Sequence, residues 1–234
     1  MNLFGCTLLK HKHDFLLTLS LFLIGSVFSA QASFQLESTG IVLKESEGRV
    51  SFNVNNTSLE PILLASKLED LDEKEVSKNI IISPPIIRID AGQSQQVNFV
   101  LKKGSNLKHE TLLRASFEGV VQSVDNSARI PVRQSIGFLI QPTSVSASKT
   151  PWESLDIRLE GSKLVVSNTG RHVVRLAPML TLLPSRKTIS LKEQYFLVGD
   201  IYKFDVGSGD NSLMITPFSR YGFKIDDVTL PIKR

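Results

Sequence analysis

The chain has 234 residues, 27 lysines and arginines against 23 acidic residues, and one cysteine. The charge is close to balanced and no run of basic residues is interleaved with aromatics, which argues against nucleic acid as a partner. Cys6 lies near the start, so everything after it is without a thiol for a disulfide, a thiolate metal site or a nucleophile.

Taken in order, the chain opens with Lys10-His11-Lys12-His13, followed by the apolar run Phe15 to Phe28 and then Ala30-Gln31-Ala32. A basic start, a short apolar segment and small residues at the two positions a peptidase reads predict an export signal cleaved after Ala32. The apolar run is short for a bilayer span. Removing residues 1–32 leaves 25 basic and 22 acidic residues over 33–234, enough chain for two domains of about 100 residues each.

From Ser33 onward the apolar stretches are short, rich in β-branched residues and broken by turn signals. Val50 to Val54 alternates and stops at Asn55-Asn56-Thr57-Ser58. Strands are predicted over 62–68, 80–82, 86–89, 96–101 and 112–121, punctuated by Ser83-Pro84-Pro85 and Asp90-Ala91-Gly92. This is the pattern of an immunoglobulin-like sandwich of about seven strands.

Its last strand is Ala128 to Pro142, with apolar side chains at Ala128, Ile130, Val132, Ile136, Phe138 and Ile140, the period of two of a strand with one apolar face. Pro131 cannot donate a backbone hydrogen bond, which places that point at a sheet edge or a bulge. An exposed apolar edge templates pairing with another chain. Either something covers this edge or pairing is its function.

The polar segment Thr143 to Pro151 marks a boundary, giving domains 33–145 and 146–234. The second half is β again, with strands predicted over 155–159, 164–167, 173–183, 194–198, 202–206, 212–216 and 223–232, and with Trp152 expected at the domain junction. The fold class is therefore all-β, two sandwiches after a cleaved signal. Chemistry-bearing patterns are missing: His109 and His172 lack a third ligand at metal spacing, and Glu69-Asp70 and Asp226-Asp227 are neighbours on strands, whose side chains point to opposite faces. The expectation is no enzyme, no catalytic residue, no cofactor and no metal.

Several local patterns occur in a fixed order: Asn53 to Ser58, then Ser83-Pro84-Pro85-Ile86-Ile87-Arg88-Ile89-Asp90-Ala91-Gly92, then Glu110-Thr111-Leu112-Leu113, the edge strand closing on Pro142, Asn168-Thr169-Gly170 and Ser219-Arg220-Tyr221-Gly222. Together they resemble the PapD-like periplasmic chaperones of the chaperone-usher pilus pathway, the double proline followed by Arg88 and Gly92 being the most specific piece. The resemblance implies two immunoglobulin-like domains meeting at an angle in a boomerang, a periplasmic location, and partners that are a pilus or fimbrial subunit and an outer-membrane usher, with no small-molecule substrate. It implies that the edge strand is lent to a subunit lacking its own last strand, with Ala128, Ile130, Val132 and Gln134 as the donated positions. The free protein would cap this edge by dimerising if nothing else covered it. The alternative is a divergent chaperone-like sandwich serving as a fibre component or binding another exported protein.

Members of that family hold a subunit's terminal carboxylate with an arginine and a lysine in the interdomain cleft. The matching positions here are Gly40 and Gly137, so both charges are missing. Lys44 and Arg133 are the nearest substitutes, each four residues away, about 13 Å along an extended strand. The family's acid–arginine–acid ion pairing between domains is altered too: Glu110 keeps the first acid, Gln141 stands at the arginine position and Arg220 at the second acid, which predicts a direct Glu110 to Arg220 pair.

Overall fold

The structure is a computed structural model and describes residues 33–105, 107–121, 130–207 and 209–234. The predicted export segment 1–32, its cleavage site and the donated position Ala128 lie outside the described residues.

The first sandwich contains β1 (Phe34–Leu36), β2 (Gly40–Lys44), β3 (Arg49–Asn56), β4 (Ile62–Asp70), β5 (Ile80–Ser83), β6 (Ile86–Ile89), β7 (Ser94–Leu101), β8 (Thr111–Val121) and β9 (Val132–Gln141). Alternation builds its core. Phe52 and Val54 of β3, Ile62, Leu64 and Leu68 of β4, Val97, Phe99 and Leu101 of β7, Leu113, Ala115 and Phe117 of β8, and Phe138 and Ile140 of β9 all turn to one interior. Phe52 stacks on Phe117 at 5.4 Å between ring centroids, and Phe99 meets Phe138 at 5.0 Å.

The nine segments form two sheets, β1-β3-β7-β5 and β2-β9-β8-β4-β6. The count exceeds the predicted seven because two pairs of short neighbouring segments, β1 with β2 and β5 with β6, are each divided by a change of sheet. The second change falls at Pro84-Pro85, where missing N–H groups end one ladder and let the next begin. Gly92 closes the turn into β7 at φ +67°, backbone that glycine adopts at no steric cost.

The second sandwich contains β10 (Leu155–Glu160), β11 (Lys163–Asn168), β12 (Val174–Leu176), β13 (Met179–Leu183), β14 (Thr188–Ser190), β15 (Tyr195–Phe196), β16 (Ile201–Asp205), β17 (Ser212–Ile215), β18 (Pro217–Phe218) and β19 (Val228–Pro231). They pair as β10-β11-β16, β15-β12-β18 and β14-β13-β17-β19 around their own core, which includes Leu164, Val166, Leu182, Phe196 and Leu213. Two expectations change here. The strand predicted over 173–183 divides at Ala177-Pro178, its halves going to different sheets, since Pro178 has no donor for a ladder. Trp152 packs in this second core rather than at the junction.

Each sandwich also has a buried asparagine at the end of a strand, Asn56 of β3 in the first and Asn168 of β11 in the second. Asn56 is fully buried and donates from Nδ2 to Glu60 O and Ile89 O while accepting from Ser58 N. Asn168 does the same with His172 O, Phe196 O and Gly170 N. One side chain thus satisfies three backbone groups at a corner where the ladder has stopped.

Candidate functional site

β9 pairs along its length with β8, from Val132 opposite Gly119 to Ile140 opposite Thr111. On its other side β2 runs parallel and covers only Gly137 to Gln141. The N-terminal half, Val132 to Ile136, therefore has a paired neighbour on one side alone among the described residues, and the predicted edge is half of a strand.

Ile130 is 89% exposed just before this half, and Val132 and Ile136 are partly buried against the first core. The period of two puts Ile130, Val132 and Gln134 on the face that further along carries Phe138 and Ile140 into the core. Gln134 does not hang free: its Nε2 donates to Phe34 O at 2.8 Å, tying the strand to the opposite sheet where β1 begins.

Gly40 and Gly137 are direct partners in the β2–β9 ladder, so the two positions named from the sequence lie side by side. A Cβ on Gly40 would meet the Tyr221 backbone at 3.1 Å, because the turn 219–222 of the second sandwich sits on this spot and Thr39 Oγ1 donates to Tyr221 O at 2.7 Å. A Cβ on Gly137 would meet the Arg175 guanidinium at 3.4 Å. The substitutes Lys44 and Arg133 lie elsewhere: Lys44 Nζ pairs with Glu47 at 2.7 Å, and Arg133 bonds Glu118 through Nε at 2.8 Å and through Nη2.

The junction itself is tightly bonded. Leu112, Leu139 and Val173 form a small apolar cluster between the sandwiches, with Val42, Tyr195 and Leu197 against it. Arg220 Nη2 donates to Glu110 Oε1 at 2.9 Å and to Gln141 Oε1 at 2.8 Å, while Glu110 Oε2 accepts from Val173 N at 3.1 Å. Gln141 thus joins the pair as an acceptor, a role that the loss of the family arginine did not suggest. Glu110 is almost wholly buried, and burial pushes its carboxyl above the ordinary range against the opposing pull of Arg220 and the Val173 N–H. Arg171 adds bonds from Nη2 to Lys108 O at 2.6 Å and Ser144 Oγ at 3.1 Å.

Beside this junction lies a cleft of about 520 Å³ lined by both sandwiches, including Arg114, Gly137, Arg175, Lys192, Glu193 and Tyr195. Arg175 is largely buried on the central strand β12, which lowers its pKa, and its single hydrogen bond among the described residues is a long 3.5 Å contact to Arg220 O. Tyr195 is pushed up to about 12 by burial and by Glu193, so it stays a neutral hydroxyl. Neither Arg114 nor Arg175 was singled out from the sequence, because nothing local separates them from surface arginines.

A two-sandwich body with an open apolar strand and a basic cleft at its junction defines a protein-binding chaperone of the immunoglobulin-like class. Residues 33–146 match the family model described as pili and flagellar-assembly chaperone, PapD N-terminal domain. The fimbrial chaperone YhcA of Escherichia coli K12 is 33% identical over 211 residues, 89% of this chain and 94% of that protein. Among solved structures, the SafB chaperone in complex with the SafA pilin of Salmonella enterica aligns with a TM-score of 0.71 at 18% identity, over 87% of this chain and 98% of that one. The YadV chaperone aligns with a TM-score of 0.68 at 17% identity, over 86% and 100%. The chain belongs to the PapD-like family of pilus-assembly chaperones, a periplasmic family whose members are not enzymes.

Proposed function

We propose that this protein captures a pilus or fimbrial subunit by lending it the open half of β9, with Ala128, Ile130, Val132 and Gln134 as the donated positions, and passes the subunit to an outer-membrane usher. On this reading residues 33–145 and 146–234 are its two domains, released into the periplasm by cleavage after Ala32. The observation that carries the reading is the single-sided pairing of Val132 to Ile136 next to a fully exposed Ile130. A backbone with free donors and acceptors on one side accepts an added strand, and alternate apolar side chains set its register.

The test is co-expression with a fimbrial subunit, followed by purification. A one-to-one complex with a subunit that aggregates alone is the expected result, lost in Ile130→Asp while the chaperone itself stays folded. A chain that polymerises with the subunit, or an Ile130→Asp variant that captures it normally, would overturn the reading.

A further inference from the structure

The place above Gly137 where a side chain of β9 would stand is filled by the Arg175 guanidinium, whose Cζ and Nη1 lie 3.4 Å from the position of a Cβ. At the neighbouring Gly40 the backbone of the turn 219–222 fills the same kind of space. Gly222 belongs to that turn, takes φ +87°, and a Cβ there would meet Arg175 Nη1 at 3.4 Å as well as Thr39 O at 3.1 Å. Three glycines therefore make room for one guanidinium and the turn behind it. The cation at this point is supplied by the second sandwich.

A second arginine faces the same space. Arg114 on β8 is the direct partner of Gly137 across the ladder, so it stands in the same row, one strand away, about 5 Å. Its partner on the other side is Glu69 of β4, which is already paired with Lys67 at 3.0 Å. Neither Arg114 nor Arg175 forms an ion pair among the described residues. The charged groups lining the cleft are Arg114, Arg175, Lys192 and Glu193, and Glu193 acts on the Tyr195 hydroxyl, raising its pKa. A largely buried guanidinium without an acid is costly unless an anion completes it.

We infer that Arg175 and Arg114 together form the carboxylate-binding site of this cleft, taking the C-terminal carboxylate of a bound polypeptide in place of charges at Gly40 and Gly137. The inference rests on the reading that the cleft receives a client chain. A planar guanidinium matches a carboxylate through two parallel N–H donors, and a strand paired to the open half of β9 and running on toward Gly137 ends at this spot. Lys44 and Arg133, each held by its own glutamate, take no part.

The test uses the exported chain alone, so its failure is separate from a failure to capture a subunit. An acetylated tetrapeptide of alanine, valine, threonine and tyrosine with a free C-terminus, its amide, and inorganic sulfate are titrated at low salt while the arginine Nε–H signals are followed. The free acid should move the Arg175 and Arg114 signals saturably, with the amide and sulfate at least about tenfold weaker. Arg175→Gln should weaken the acid at least about tenfold and Arg114→Gln about threefold or more, with Lys44→Gln and Arg133→Gln unchanged. Because Arg114 is exposed, its variant decides the matter even if Arg175→Gln unfolds. Equal binding of acid and amide, sulfate as tight as the acid, or an unaffected Arg114→Gln would overturn the inference.

Discussion

The two halves of β9 have the same alternating chemistry and opposite surroundings. From Gly137 to Gln141 the strand has β2 on one side and β8 on the other, and Phe138, Leu139 and Ile140 are buried. From Val132 to Ile136 it has β8 alone, with Ile130 beyond it in solvent. Phe138 therefore stabilises the fold, while Ile130, eight residues earlier on the same face, stands in solvent. What separates them is the length of β2, five residues from Gly40 to Lys44, which runs out before covering the strand.

The sharpest way to test that contrast is to shorten an apolar side chain in each half. Phe138→Ala removes a fully buried ring in contact with Phe99 and should cost about 3–5 kcal/mol in urea unfolding. Ile130→Ala should leave stability within about 0.5 kcal/mol, as surface changes do, yet weaken subunit binding about tenfold in a titration of the purified complex. A stability loss at Ile130 to match Phe138 would erase the distinction.

Smaller effects separate the two glycines where the covered half begins. Gly40→Ala presses a methyl group against the Tyr221 backbone at 3.1 Å and should cost about 1–3 kcal/mol by thermal unfolding. Gly137→Ala meets side-chain atoms at ordinary contact distance and should be within about 0.5 kcal/mol of the parent. Equal costs would mean that the turn 219–222 does not rest on β2.

The smallest effect is a pH dependence at the end of the covered half, where Gln141 and Glu110 share Arg220. Burial raises the Glu110 pKa in the folded state, so its contribution to stability is greatest below the ordinary carboxylate range and is lost as pH rises through the raised folded value. The stability of the parent relative to Glu110→Gln should therefore fall from about pH 4 upward and then level off, read from unfolding curves at successive pH values. A difference that grew with pH would show the Arg220 attraction outweighing burial.

Much of this was legible in the residues. Alternation in Val50 to Val54 and Ile62 to Leu68, and breaks at Pro84-Pro85, placed strands that the structure contains, because burying one face of a sheet imposes a period of two. The run Asn55 to Ser58 has the composition of a polar turn, whereas Asn56 is buried as the last residue of β3. A composition rule for turns cannot tell an asparagine facing water from one that satisfies three backbone groups. Pro178 lies inside an apolar run that reads as one strand, although its missing N–H is a local signal for the division between β12 and β13.

By itself the sequence determined the all-β class, the two sandwiches and the apolar alternation of β9, since these follow from local periodicity and from residues that cannot extend a ladder. Only the tertiary structure decided where that strand is open and which arginines stand at the junction. How far β2 reaches along β9 depends on a parallel pairing between segments almost a hundred residues apart, Gly40 and Gly137. Arg175 faces Gly137 because two separately packed sandwiches meet there, and a charge delivered across such a junction leaves no trace in the spacing of either segment.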